Sequence, residues 1–401
     1  MKRIYLELLA KHLSEFRQMA FLMGPRQAGK TTVSLAAAGE WSKHFYFNWD
    51  NAQEKLLFIE GPTAIAKQAG LDVLMTESPV LIFDEIHKFG KWKNFLKGFF
   101  DLYEKRTKII VTGSARLNIY KKGGDSLMGR YFYYRLHPLS VAEIVSPTLI
   151  EEEIRSPSPI SVSDWEALLE HGGFPEPFIQ RSKSFSLRLK NLRKDQLFRE
   201  DIRDGTKIQE IAELELLAEC LRRQAAESLT YHSLATKIRV STDTVRRWIE
   251  ILKSFYYCFT IQPWSKNVTR SLIKEPKLYL WDWSLIDDEG HRNENIVASH
   301  LLKATHFWSD RGLGDYGLYY LRTKDQLETD FLVTKNDKPW FLVEVKTKAK
   351  GLSPALYHFQ KELGAPHAFQ VAFDLPFINK NCFEESGPIL VPAQTFLSQL
   401  V

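Results

Sequence analysis

The run Gly24-Pro25-Arg26-Gln27-Ala28-Gly29-Lys30-Thr31 matches the spacing G-x-x-x-x-G-K-[ST], with a lysine and a hydroxyl closing a glycine-spaced loop. That spacing is phosphate chemistry. The glycines let main-chain N–H groups curl around phosphate oxygens, and a helix starting at the lysine turns its positive end toward the same anion. Lys30 would neutralise the β and γ oxygens of a triphosphate and Thr31 would ligate Mg²⁺, with the cradle running from Gly24 to Thr32. A second pair of reactive groups, Asp84 and Glu85, ends the apolar run Val80-Leu81-Ile82-Phe83. Asp84 would hold the same Mg²⁺, and Glu85 would polarise the attacking water. ATP and Mg²⁺ are therefore the expected cofactors.

These groups need a sheet edge to bring them together. The apolar run MAFLM leads into the loop, TTVSLAAA follows it at helical spacing, and HFYFNWD, VLIFDE and KIIVTGS recur along the first 140 residues. Continuous apolar runs of this length, separated by helical segments, predict parallel strands covered on both faces. The third of them ends in Thr112-Gly113-Ser114, whose hydroxyls are placed to sense a γ-phosphate. Residues 1–16 carry apolar positions at helical spacing interrupted by Glu7, Lys11 and His12, which reads as an amphipathic helix and not a leader peptide. Pro, Ser and a Glu run over SPTLIEEEIRSPSPISVS put a boundary near residue 150.

The rear of the chain holds two further constellations. Leu234, Ala235 and Ile238 mark one short helix, and Thr242 to Leu252 a second with Val245, Ile249 and Leu252 inward, which is helix-turn-helix spacing. Arg246 and Arg247 would face outward, and Lys266, Arg270, Lys274 and Lys277 would sit on a basic wing, so a winged helix over about 225–277 is expected, docking either DNA or protein. Further on, Asp330 lies 14 residues before Glu344, and Glu344 and Lys346 share one face of an apolar strand. Asp330 and Glu344 would share a divalent metal while Lys346 orients a water for phosphodiester attack, with Glu294 as an added acid.

Taken together, GPRQAGKTT, LIFDEIH, VTGSARL and GRYFYYRLHPLSVAEI resemble the AAA-type ATPases of archaea and bacteria that share a TGS…GR…L-x-PLS-x-x-E stretch. The resemblance continues through GGFPEP, FREDIRD and KEPKLYLWD, and the Asp330…Glu344-x-Lys346 pattern resembles the D…ExK core of restriction-endonuclease-like domains, which that family carries at its C-terminus. It implies an α/β P-loop NTPase domain of the additional-strand class over 1–150, a helical middle with the winged helix over 151–277, and a restriction-endonuclease-like α/β domain over 278–401. It also implies Arg130 as an arginine finger, with Arg116 as its competitor.

Composition narrows the functional classes. The chain has 401 residues, 44% of them hydrophobic and 26% charged, enough for two or three packed cores. Its three cysteines never form a Cys-x-x-Cys pair, which argues against a disulfide framework and against a cysteine zinc site. No apolar run reaches the length of a bilayer span, so a cytoplasmic protein without membrane contact is expected. The net charge of +5 permits a nucleic-acid partner. The expected function is Mg-dependent ATP hydrolysis coupled to action on DNA, with self-association possible. The alternative is an ATP-driven switch that binds a protein partner and keeps its nuclease-like domain non-catalytic.

Overall fold

A computed structural model of the chain describes residues 1–74, 76–113, 127–203, 206, 208–265, 275–323, 325 and 327–401. They form two compact units, one of Met1–His137 with Pro147–Leu149, the other of Pro138–Ser146 with Ile150–Val401. Ser114, Arg116, Lys266, Arg270 and Lys274, singled out above, lie outside the described residues.

The first unit is built on five parallel strands, β1 (Met19–Met23), β2 (His44–Asn48), β3 (Val80–Asp84), β4 (Lys108–Gly113) and β5 (Tyr131–Arg135), in the order β2-β3-β4-β1-β5. β4 is thus inserted between the strand that enters the glycine loop and the strand that ends in the acids. Every residue of β3 is buried, which is why its sequence is apolar up to the closing Asp84 instead of alternating. The helix Trp92–Tyr103 buries Trp92, Phe95, Leu96, Phe99 and Phe100, a one-sided stripe at helical spacing. With Phe21, Phe47, Phe58 and Phe83 these side chains make an aromatic core. Phe83 meets Phe99 edge to face at 5.3 Å, a favoured ring geometry. The N-terminal helix Ile4–Glu15 packs on the helix Lys30–Ala38. Because all five strands run the same way, Met23, Asn48, Asp84, Gly113 and Arg135 share one edge.

The second unit opens with Pro138–Ser146, continues through helices between 162 and 254, and ends in a mixed seven-stranded sheet. Its strands are β6 (Cys258–Pro263), β7 (Lys277–Leu280), β8 (Tyr316–Arg322), β9 (Glu328–Lys335), β10 (Lys338–Lys346), β11 (His367–Ala372) and β12 (Pro388–Pro392). Their order is β12-β11-β10-β9-β8-β6-β7, and the helix Glu289–Asp310 packs on strands of this sheet. The line drawn from sequence at 277/278 falls inside β7, which pairs antiparallel with β6, and β6 in turn pairs with β8. The hairpin and the C-terminal strands therefore share one backbone ladder. Among the described residues no helix is long and apolar enough to cross a membrane.

The helices Tyr231–Ile238 and Thr242–Ser254 bury Leu234, Ala235 and Ile238 and Val245, Trp248, Ile249 and Leu252. Arg239 closes the first in the left-handed region at φ 59°, and the Ser241 hydroxyl caps the second by accepting Thr244 N–H at 3.1 Å.

Candidate functional site

The glycine loop is shaped by backbone positions that few side chains tolerate. A Cβ on Gly24 would lie 2.2 Å from the Leu136 carbonyl oxygen, and Gly29 has φ 95°, so a side chain is excluded by contact at one and disfavoured by conformation at the other. Gln27 also has positive φ, at 59°. These turns deliver the chain to Lys30, the first residue of the helix. Arg3, which nothing in the sequence singled out, locks the far side of the loop by donating to the Ala28 and His137 carbonyls, both at 2.7 Å.

Lys30 is 7% exposed and folds back on its own loop, donating to Gly24 O at 3.0 Å and Pro25 O at 2.8 Å. Burial pushes its ammonium down to about 8, although Glu85 and Asp84 pull the other way.

Asp84, the last residue of β3, gathers four donors. Its Oδ2 accepts the Thr31 hydroxyl at 2.8 Å and the Tyr46 hydroxyl at 2.7 Å, while its Oδ1 accepts the Glu85 N–H at 3.0 Å and the Thr112 hydroxyl. Burial, and then the bond to Asp84, pushes the Tyr46 phenol above its ordinary range. Tyr46 and Thr112 stand at the edge because β2 and β4 flank β3, a neighbour relation that local sequence does not encode. Glu85 turns away from the strand with φ 54°, and its Oε2 lies 3.2 Å from Lys88 Nζ and 3.7 Å from His87 Nε2. The loop helix, Lys30, Thr31 and Asp84 thus form one set of anion and hard-cation donors, which suits a triphosphate with a divalent ion.

Arg130 stands elsewhere. Its carbonyl accepts Met19 N–H at 2.9 Å, which puts it at the N-terminal ends of β1 and β5, opposite the glycine loop. Four residues of strand separate the two edges, roughly 13 Å. The guanidinium makes a two-pronged contact with Asp101, at 2.6 and 2.9 Å. Within its own chain Arg130 therefore does not reach the phosphate loop.

In the second unit Arg246 and Arg247 are both exposed, with the Arg246 guanidinium 4.4 Å from the centre of the Tyr231 ring. The rear acids do converge. Asp330 Oδ2 accepts Val345 N–H at 2.9 Å, Lys346 donates to Glu344 at 2.7 Å, and Tyr279 donates to Glu294 at 2.7 Å. Burial, with Asp330 as the next contributor, pushes Glu294 up to about 8 and Glu344 up to about 7. Lys277, expected on an exposed wing, is instead 4% exposed and points into this cluster. Among the described residues no group of three or more His, Cys, Asp or Glu side chains is arranged to hold a metal ion.

The strand order and the donor set around the glycine loop define the first unit as a P-loop ATPase domain of AAA type. Residues 16–145 match the family described as "AAA domain". Residues 162–288 and 289–374 match families described as domains of unknown function, DUF8612 and DUF4143. The uncharacterized proteins Mb2031c of Mycobacterium bovis and Rv2008c of Mycobacterium tuberculosis are each 22% identical over 353 residues, 84% of this chain and 72% of theirs. Among solved structures, AMPPCP-bound DnaA from Aquifex aeolicus is similar over 62% of this chain and 86% of that one, at 15% identity and a TM-score of 0.32.

Proposed function

We propose that the protein is a Mg-dependent ATPase whose nucleotide state controls DNA contact by the second unit. The observation that carries the first half is the 2.8 Å contact between the Thr31 hydroxyl and Asp84 at the mouth of the loop, beside buried Lys30. In this reading the loop N–H groups from Gly24 to Thr32, Pro25 to Ala28 among them, wrap the phosphates. Lys30 exchanges its carbonyl partners for phosphate oxygens, and Thr31 and Asp84 hold the ion. Bound Mg²⁺ would neutralise charge on the β and γ oxygens. Glu85, released from Lys88, orients the attacking water, and Thr112 and Tyr46 keep Asp84 in place. Since Arg130 lies at the opposite edge, its own guanidinium would reach a γ-phosphate only in a second copy of the chain.

The DNA half rests on the two packed helices at 231–254 with Lys237, Arg239, Arg246 and Arg247 exposed on them. The winged-helix reading treats β6 and β7 as the start of its wing. An ATPase assay with and without DNA, paired with sizing in ATP and ADP, tests both halves. Glu85→Gln should abolish turnover while nucleotide still binds; turnover at the wild-type rate in that variant refutes the assignment. Reversing Arg246 and Arg247 to Glu should weaken DNA binding and lower the salt slope by about 2. An unchanged slope refutes the DNA surface.

A further inference from the structure

The D…ExK pattern implies a divalent cation between Asp330 and Glu344, and the side chains in place do not fit one. Lys277, the first residue of β7, sends its ammonium to 2.6 Å from Glu328 Oε1, 3.1 Å from Glu294 Oε1 and 3.4 Å from Asp330 Oδ1. The other Asp330 oxygen is taken by the Val345 N–H. Both Asp330 oxygens face a donor and, unlike those on Asp84, one of these donors is itself a cation. Glu294 is engaged by Lys277 and by the Tyr279 hydroxyl through the same oxygen. Glu344 keeps one oxygen on Lys346, and its other, Oε2, is buried with no hydrogen-bond donor among the described residues. Tight ligation of Mg²⁺ asks for near-octahedral oxygens at about 2.1 Å, and a second positive centre beside them opposes it.

We infer that Lys277 is the resident cation of this cluster, so that the chain's own ammonium does the charge neutralisation a divalent metal would do, and the second unit does not cut phosphodiesters there. Glu294, Glu328 and Asp330 are partly buried around one ammonium and Glu344 is buried beside them, so without a cation their ionised forms would repel one another at the junction of β7, β9 and the helix Glu289–Asp310. The lysine comes from the hairpin that follows the helix-turn-helix, so the same contact staples that hairpin to the sheet. A short point charge on a flexible stem suits a pocket of converging single oxygens better than a planar guanidinium would. The inference depends on the nuclease-like reading of the sheet, and is independent of the ATPase and DNA-contact readings because its readout is metal uptake without nucleotide.

Electron paramagnetic resonance of free Mn²⁺ titrated against nucleotide-free full-length protein tests it. Wild type and Asp330→Asn should take up equal amounts, and Lys277→Ala should take up about one further Mn²⁺ per chain, lost again in the Lys277→Ala/Asp330→Asn double variant. Uptake by wild type that Asp330→Asn removes would overturn the resident cation. So would wild-type DNA cleavage that Asp330→Asn removes, a comparison that stands even where Lys277→Ala does not fold. If folded Lys277→Ala gains no Mn²⁺ while wild type and Asp330→Asn still match, the nuclease-like reading of the cluster fails instead, and the inference with it.

Discussion

Replacing Glu143 by Gln probes how the Leu139-Ser140-Val141-Ala142-Glu143 stretch is held within the second unit. The Glu143 and Lys303 side chains are 0% and 2% exposed, and Lys303 Nζ lies 2.5 Å from Glu143 Oε2. Lys303 also donates to Ser140 Oγ at 2.7 Å, with the Pro138 carbonyl at 3.4 Å. Taking away the carboxylate removes the negative charge that faces this buried ammonium, so Glu143→Gln should cost about 3–5 kcal/mol. Lys303→Met removes the cation that faces the buried carboxylate and should cost a similar amount. The Glu143→Leu/Lys303→Met pair removes both charges and should recover most of that loss, giving a coupling of about 3 kcal/mol. Against a domain stability of about 5–15 kcal/mol, either single change would be plain in urea unfolding followed by circular dichroism. ATP binding by calorimetry serves as the control that the first unit is intact. Single changes costing under about 1 kcal/mol, or a double variant as unstable as the two losses added together, would refute the claim that this is a desolvated, mutually dependent pair.

Other outcomes follow from the same geometry. Lys30→Met should weaken ATP binding about a hundredfold by calorimetry, from loss of a charge-assisted contact, yet should not lower the thermal midpoint of nucleotide-free protein, because no ammonium then needs burying. Gly24→Ala forces a methyl onto the Leu136 carbonyl, 2.2 Å away, and should cost about 1–3 kcal/mol in unfolding measurements while ATP affinity falls more steeply. His300 is held neutral: burial pushes it from 6.5 down to about 4, its Nε2 accepts Val141 N–H at 3.1 Å, and its Nδ1–H donates to Ile296 O at 2.7 Å. A folded value below the unfolded one means that stability is complete above pH 6.5 and drains away as pH falls toward 4. The loss at pH 5 should be about 2 kcal/mol, and a His300→Gln variant should lack that share of the acid titration. His12 in the first unit, pushed down to about 4 chiefly by burial, carries the same sign.

What local sequence determined was chemistry that neighbours in the chain perform together. The glycine loop, its lysine and threonine, the buried strand ending in Asp84 with Glu85 next, and the apolar stripes of the helices Tyr231–Ile238 and Thr242–Ser254 were legible because backbone geometry and side-chain period act over a few residues. The cap at Ser140 is a local contact of the same kind, its hydroxyl accepting Glu143 N–H at 3.4 Å. Which partner a charge meets was another matter. That Glu143 pairs with Lys303, that Arg3 pins the loop, that Tyr46 joins Asp84, that Arg130 sits at the wrong edge and that Lys277 turns inward among carboxylates were all decided by strand order and helix packing. Burial makes an ion pair obligatory without naming its partner, and contacts between residues 17 to 160 positions apart, such as these, leave no periodic trace in the chain.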